Sequence, residues 1–170
     1  MKYEVVANTV SAQPLAALRR FVLIALLIAL VASICDAQTK QRWVLLPETE
    51  AEHARQLCCR PGPPKFSETW KPTEQEIQTM EACLHRISRL RIGSGILGVR
   101  IKHPDLYYRQ YLGIVIKDRK YIFINAFCDG APPEFWGQTL IDTCDGGCSW
   151  GVVYDVVTQN FSHLEMNGVA

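Results

Sequence analysis

The sequence has no marked excess of either charge, because 18 Lys and Arg residues stand against 17 Asp and Glu residues. A protein that wraps a polyanion needs a basic excess, so this balance argues against a nucleic-acid partner. Internal repeats and low-complexity tracts are absent, and a 48% hydrophobic content excludes a disordered chain. The 170 residues therefore indicate one folded domain with short additions.

Signatures of catalysis and metal binding are also missing. The chain has neither the Gly-x-Ser-x-Gly elbow of a serine hydrolase nor the Asp-x-Asp-x-Asp-Gly ladder of a calcium loop. Asp142, Asp145 and Asp155 could offer carboxylates to calcium, but a turn aspartate bonded to its own backbone explains Asp145 more simply. A Cys/His hydrolase would need a free thiolate beside one of four histidines. We predict no catalytic residue, no cofactor and no metal ion.

The one long hydrophobic run lies near the N-terminus. Arg19 and Arg20 precede FVLIALLIALVASIC, and Asp36-Ala37-Gln38 follow it. A basic segment, an apolar stretch and small residues before a cut are typical of a secretory signal, so we predict a signal peptide over residues 1–37. The run is shorter than the ~20 residues that span a bilayer. An uncleaved anchor and a lipoprotein cut before Cys35 are the alternatives.

Removal of residues 1–37 would leave 133 residues, with 15 basic and 15 acidic side chains. Such a neutral chain is not steered toward nucleic acid or anionic lipid. Its contact with a membrane would come only through an uncleaved signal segment. We therefore expect an exported protein, periplasmic or secreted, whose partner is a protein or a component of the cell envelope.

Six cysteines remain after that removal, and an even number in an exported chain indicates disulfides. They are Cys58, Cys59, Cys83, Cys128, Cys144 and Cys148. We predict one bond from Cys83 to Cys58 or Cys59, and another from Cys128 to Cys144 or Cys148. A metal site that includes Cys144-x-x-x-Cys148 is the alternative, although zinc ligands are commonly separated by two residues.

The mature chain is predicted to contain an N-terminal appendage with a Pro-rich loop over residues 38–72 and an α+β domain over 73–170. A short helix over 48–59 ends at the Pro-rich Arg60–Pro64 stretch. The Thr73-x-x-Glu76 capping box begins the main helix. Apolar residues then follow at helical spacing: Ile77, Met80, Leu84 and Ile87.

Strand patterns occupy the second half of the chain. YYRQYLGIVI and YIFINAF, joined by a short polar loop, predict a hairpin whose second strand is central and covered on both faces. Further strands are predicted over 96–102, 139–144, 150–157 and 161–166. The result is an α+β fold in which one main helix packs on a four- to five-stranded antiparallel meander.

The stretches YYRQYLGI, KYIFINAF, TCDGG and WGVVYD, within residues 107–168, resemble a group of small exported bacterial proteins of unassigned function. The layout is also similar to the cystatin-like arrangement of a helix wrapped by a curved antiparallel sheet. That layout serves inhibitors, carriers and enzymes alike, so the resemblance implies a fold and no activity.

Four residues are candidates for contact with a ligand: Asn125, Trp136, Asp145 and Trp150. Asn125 shares a strand face with two phenylalanines, so it is either a satisfied buried amide or part of a pocket. Trp136 follows two prolines in a predicted loop, where an aromatic ring is hard to bury, whereas Trp150 follows strand alternation and suits a core.

The first functional hypothesis is an exported, non-catalytic domain that binds a macromolecular partner or supports the cell envelope. The alternative is a small hydrolase or ligand carrier with its site in the sheet concavity around Asn125, Asp145 and Trp150.

Overall fold

Two helices and a six-stranded, mostly antiparallel sheet make up the described part of this α+β protein. The computed structural model describes residues 41–92, 98–128, 132–144 and 147–168. The predicted signal peptide lies outside the described residues, and the described residues from Arg42 onward form one compact unit. Within the described ranges, no helix has the length and hydropathy needed to span a membrane.

The elements follow one another as β1 (Trp43–Leu45), α1 (Ala51–Arg55), β2 (Glu68–Trp70), α2 (Glu74–Cys83), β3 (Tyr108–Ile116), β4 (Arg119–Phe127), β5 (Trp150–Asp155) and β6 (Asn160–Met166). The strand order is β1-β3-β4-β5-β6. Strands β1 and β2 pair with successive parts of the same edge of β3, β1 in parallel and β2 antiparallel.

The capping box of the main helix is confirmed. The Thr73 hydroxyl accepts a hydrogen bond from the Glu76 backbone N–H (3.3 Å), and the Thr73 N–H donates to the Glu76 carboxylate (2.7 Å). The predicted apolar stripe is buried, and the helix continues beyond Cys83 as a 3-10 helix over Leu84–Arg89. Arg109 of β3 forms an ion pair with Glu81 (3.1 Å), which ties the helix to the sheet.

The predicted hairpin is strands β3 and β4. Lys117 and Asp118 form its turn with φ values of 49° and 61°, as a two-residue turn matched to the strand twist requires. Strand β4 lies between β3 and β5, so its predicted central position is confirmed. Both of its faces are covered by separate core clusters.

The two faces of the sheet carry different layers. On the helix face, α2 packs against residues that include Tyr111, Ile124 and Trp150. On the other face, which we call the loop face, Phe123 and Val153 pack against Leu46, Phe66 and Leu140. Those last residues come from the segment after β1 and from residues 132–144, which we call the covering loop.

Three segments differ from the prediction. Residues 38–72 were expected as an appendage, but their described part supplies β1, β2 and core residues, because the edge of β3 and the loop face would otherwise lack partners. The expected strand over 96–102 falls partly on residues 93–97, outside the described residues, and Val99 forms an isolated bridge with Ile92. Residues 139–144 form no strand, since their backbone bonds to buried side chains instead.

Candidate functional site

A cluster of buried polar side chains lies on the loop face beneath the covering loop. Asn125 is 1% exposed, and its amide nitrogen donates to Gln110 Oε1 and to the Ile141 carbonyl, both at 2.8 Å. Gln110 donates in turn to the Trp136 and Thr139 carbonyls (2.5 and 2.8 Å). Asn125 is therefore a satisfied buried amide that helps to hold the covering loop.

Arg60 closes this cluster from the chain segment before β2. Arg60 is 5% exposed, and its guanidinium donates to Asn125 Oδ1 and, at 2.5 Å, to Asn167 Oδ1. It lies on Gly151, where an added Cβ would come within 2.8 Å of Arg60 Nε. The Asn167 amide also donates to the Thr143 carbonyl. We call Arg60, Gln110, Asn125 and Asn167 the Arg60 cluster.

The structure separates the residues that were predicted to share a concave site. Trp150 pairs with Ala126, and Gly151 pairs with Asn125, so Trp150 and Asn125 project from opposite faces of the sheet. Trp150 is fully buried on the helix face and stands edge-on to Tyr107 at 5.5 Å. Asp145 lies outside the described residues. A single site containing both Asn125 and Trp150 is thus not formed.

Trp136 is half-buried in a 3-10 turn of the covering loop, Glu134–Gly137, rather than fully exposed. Its ring stands edge-on to Tyr108 at 5.7 Å and to Phe127 at 6.3 Å. These contacts place it beside an open cleft, whose wall includes Phe127 and the neighbouring Phe135.

The cleft has a volume of about 450 Å³ and mostly apolar walls. Its apolar lining is Phe127, Pro133, Phe135, Leu140 and Ile141. Phe135 is 53% exposed, and three polar residues complete the lining: His53, Asp142 and Thr143. We call it the Phe135 cleft. A second cleft of about 560 Å³, near β1 and β2, includes the charged residues Glu48 and Lys71 in its lining.

Three sulfur atoms lie near the Asp142 end of this cleft. Cys59 and Cys144 form a disulfide with a Cα–Cα distance of 5.2 Å. The exposed Cys58 thiol is free, and its Sγ lies 3.0 Å from Cys59 Sγ and 3.7 Å from Cys144 Sγ. Asp142 joins the two features, since it lines the cleft and its carboxylate accepts a hydrogen bond from the Cys58 backbone N–H (2.7 Å).

The second predicted disulfide is present as Cys128–Cys148. Strands β4 and β5 pair Ala126 with Trp150, and extending this register brings Cys128 opposite Cys148. The predicted bond of Cys83 to Cys58 or Cys59 is wrong. Cys83 is a free thiol buried on the helix face, whereas Cys59 precedes Arg60 on the loop face, so the sheet lies between them.

The surroundings of Cys58 suppress its reactivity. Its pKa is raised, first because Asp142 accepts a hydrogen bond from the thiol, then through desolvation and the negative charge of that carboxylate. The thiolate is the reactive form, so little of it is present at neutral pH. The three sulfurs lie within 4.8 Å of one another and could surround a soft metal ion, but only after reduction of the Cys59–Cys144 disulfide.

We expect Asp142→Asn to accelerate the alkylation of Cys58 by iodoacetamide several-fold at pH 7. The substitution removes the carboxylate that accepts a hydrogen bond from the thiol, and with it the negative charge, so the thiol pKa falls and the pH at which the rate is half-maximal moves down. The rate should be followed by mass spectrometry in a Cys83→Ser background. Asp118→Asn, in the β3–β4 turn, is the control and should leave the rate unchanged. An unaltered pH profile in Asp142→Asn would contradict the assigned cause.

Sequence reasoning missed Arg60 and Gln110. The position of Gln110 could have been predicted from the sequence, because a two-residue turn at Lys117-Asp118 places it opposite Asn125. Two amide side chains that face each other in a buried hairpin form a hydrogen bond. Gly151 was a second signal, since glycine inside a strand marks a close approach. Nothing in the local pattern around Arg60 indicated its burial.

Comparison of the chain with protein-family models, with curated proteins and with solved structures gives no match.

Proposed function

We propose that this protein is an exported, disulfide-bonded binding domain that takes an apolar side chain of a partner protein into the Phe135 cleft. One observation carries the proposal: a phenylalanine that is 53% exposed stands at an open, apolar cleft of about 450 Å³. Aromatic residues are enriched in the cores of protein interfaces, and a few well-packed anchor residues carry most of the binding energy.

The floor of the cleft favours binding because it is held rigidly. Leu140 and Ile141 belong to the covering loop, whose backbone bonds to Gln110 and Asn125 of the Arg60 cluster. A wall fixed in this way loses little conformational freedom when a ligand binds, so less of the interaction free energy is spent on ordering it.

The chemistry around the cleft favours binding over catalysis. Cys58 donates its backbone N–H to Asp142 beside the cleft, and its raised pKa keeps the thiol mostly protonated. His53 also lines the cleft, but its Nδ1 is engaged with the Glu50 carboxylate at 3.2 Å. The hydrolase alternative required Asn125 and Trp150 in one concavity, and they lie on opposite faces of the sheet.

Export and the fold family are parts of the same proposal. The signal pattern over residues 1–37 and two disulfides support an oxidising compartment, periplasmic or extracellular. The packing of α2 on the meander β3–β6 supports a cystatin-like layout and the resemblance to small exported bacterial proteins, with β1 and β2 as additions to the β3 edge.

Titration of the ¹⁵N-labelled protein with N-acetyl-phenylalaninamide and N-acetyl-leucinamide tests the cleft. We expect chemical-shift changes at the amides of Phe135, Ile141 and Thr143. Phe135→Ser should weaken the binding about tenfold, because burial of a large apolar side chain contributes roughly 1.5–3 kcal/mol when complete and less from a half-exposed start.

Val157→Ser is the matched control, since Val157 is 76% exposed in the turn between β5 and β6, outside the cleft lining. It should bind both amides as the unaltered protein does. N-acetyl-glutamine amide supplies the ligand control and should produce no shifts at the cleft. Equal binding by Phe135→Ser and Val157→Ser would reject the cleft as the binding site.

A further inference from the structure

Cys58, Cys59 and Cys144 form a cluster of three cysteines, so one disulfide among them always leaves one thiol beside it. Cys58 Sγ lies 3.7 Å from Cys144 Sγ, close to the roughly 3–3.5 Å of reacting atoms poised for bond formation. Cys58 and Cys144 are both exposed, and Cys59 is partly so. Nucleophile, electrophile and leaving group of a thiol–disulfide exchange are therefore adjacent and accessible.

We propose that Cys58, Cys59 and Cys144 form a thiol–disulfide exchange site in which Cys144 transfers its bond from Cys59 to Cys58 and back. Attack on Cys59 is not expected to compete, because it would join adjacent residues in a geometry that disulfides avoid. Cys144 is thus the shared partner of two alternative disulfides.

The step is an isomerisation and needs no oxidant or reductant. The Cys58 thiolate attacks Cys144 Sγ, and the Cys58–Cys144 bond forms as the Cys59–Cys144 bond breaks. The electron pair of the broken bond remains on Cys59 Sγ, which takes up the proton that Cys58 lost. The numbers of thiols and disulfides are unchanged, and exchange proceeds through the thiolate.

The raised pKa of Cys58 sets the pH at which this exchange runs. Since Asp142 favours the protonated thiol, exchange is slow at neutral pH and accelerates about tenfold per pH unit until the thiol is ionised. Asp142 supplies both the hydrogen bond and the negative charge that raise the pKa of Cys58. The Asp142→Asn variant should therefore exchange faster at pH 7.

The exchange would also change the residue to which the cleft wall is bonded, from Cys59 to Cys58. Cys144 follows Asp142 and Thr143, which line the Phe135 cleft. Its present partner, Cys59, accepts a backbone bond from Gly168 (2.8 Å) and adjoins the buried Arg60, whereas Cys58 is exposed and held by Asp142. The two isomers should therefore differ in affinity for the amide probes, a consequence that rests on the proposed function.

Disulfide mapping of the native protein tests the exchange. The protein is held at pH 7 or pH 9, quenched in acid, alkylated and cleaved before Asp145, which separates Cys144 from Cys148. Fragmentation between residues 58 and 59 then shows which cysteine carries the label. At pH 9 we expect label on Cys58 in some molecules and on Cys59 in others, and at pH 7 the same mixture reached more slowly.

Two variants trap the isomers. In Cys59→Ser we expect Cys58 bonded to Cys144, with Cys83 as the one alkylatable thiol of the described residues after unfolding, and in Cys58→Ser the present disulfide. Alkylation of both Cys58 and Cys144 in folded Cys59→Ser would overturn the proposal. Label on Cys58 alone at every pH in the unaltered protein would also overturn the proposal. This second result can be obtained even if Cys59→Ser fails to fold.

Titration of the variants with the amide probes distinguishes control of the cleft by the exchange from binding in the cleft itself. Different affinities in Cys58→Ser and Cys59→Ser support control of the cleft by the exchange, and equal affinities reject that control. Absence of amide binding in every form would overturn the proposed function, while the mapping result would still decide the exchange.

Discussion

Asn125→Leu is expected to lower the free energy of unfolding by about 3–5 kcal/mol. Leucine has a similar volume but removes an acceptor of Arg60 and the donor to Gln110 and to the Ile141 carbonyl. Removing a buried hydrogen-bond partner of a charged group costs about 3–5 kcal/mol, because the polar atoms that lose their partner remain buried away from water. Guanidinium unfolding followed by tryptophan fluorescence measures the change.

Asn160→Leu is the control for this substitution. Asn160 is exposed at the start of β6, where a surface replacement should change stability by no more than about 0.5 kcal/mol. A loss below about 1 kcal/mol in Asn125→Leu would mean that the amide does not hold the covering loop. We also expect Asn125→Leu to weaken amide binding in the Phe135 cleft, since the same loop forms its wall.

Cys144→Ser is expected to lower the free energy of unfolding by about 4 kcal/mol. The Cys59–Cys144 disulfide joins residues separated by 85 positions, and closing so long a loop removes much of the conformational freedom of the unfolded chain. Cys148→Ser opens the shorter connection of 20 positions and should cost about 3 kcal/mol. Denaturant unfolding under non-reducing conditions measures both.

Cys58→Ser is the matched control for the disulfide variants, because it alters the neighbouring exposed sulfur without removing a disulfide. Its stability should stay within about 0.5 kcal/mol of the unaltered protein. Cys59→Ser should lose less stability than Cys144→Ser, because Cys58 can then bond to Cys144. A Cys144→Ser protein as stable as Cys58→Ser would show that the long-range bond contributes little.

Local sequence patterns predict the elements that are built from neighbouring residues. The capping box at Thr73 and Glu76 began the main helix, and alternation with a two-residue turn produced the β3–β4 hairpin. In each case the determining contacts are set by helical spacing or strand pairing, so local patterns contain the necessary information.

The remaining features depend on contacts between segments that lie far apart in the chain. The loop face is covered by residues from both before and after the hairpin, so the burial of Arg60 depends on segments far apart in the chain. Cys59 bonds to Cys144 because both belong to segments that cover the loop face. Cys83 remains a free thiol because its helix covers the other face of the sheet. Such contacts arise from packing a whole layer against the sheet, and no local periodicity specifies them.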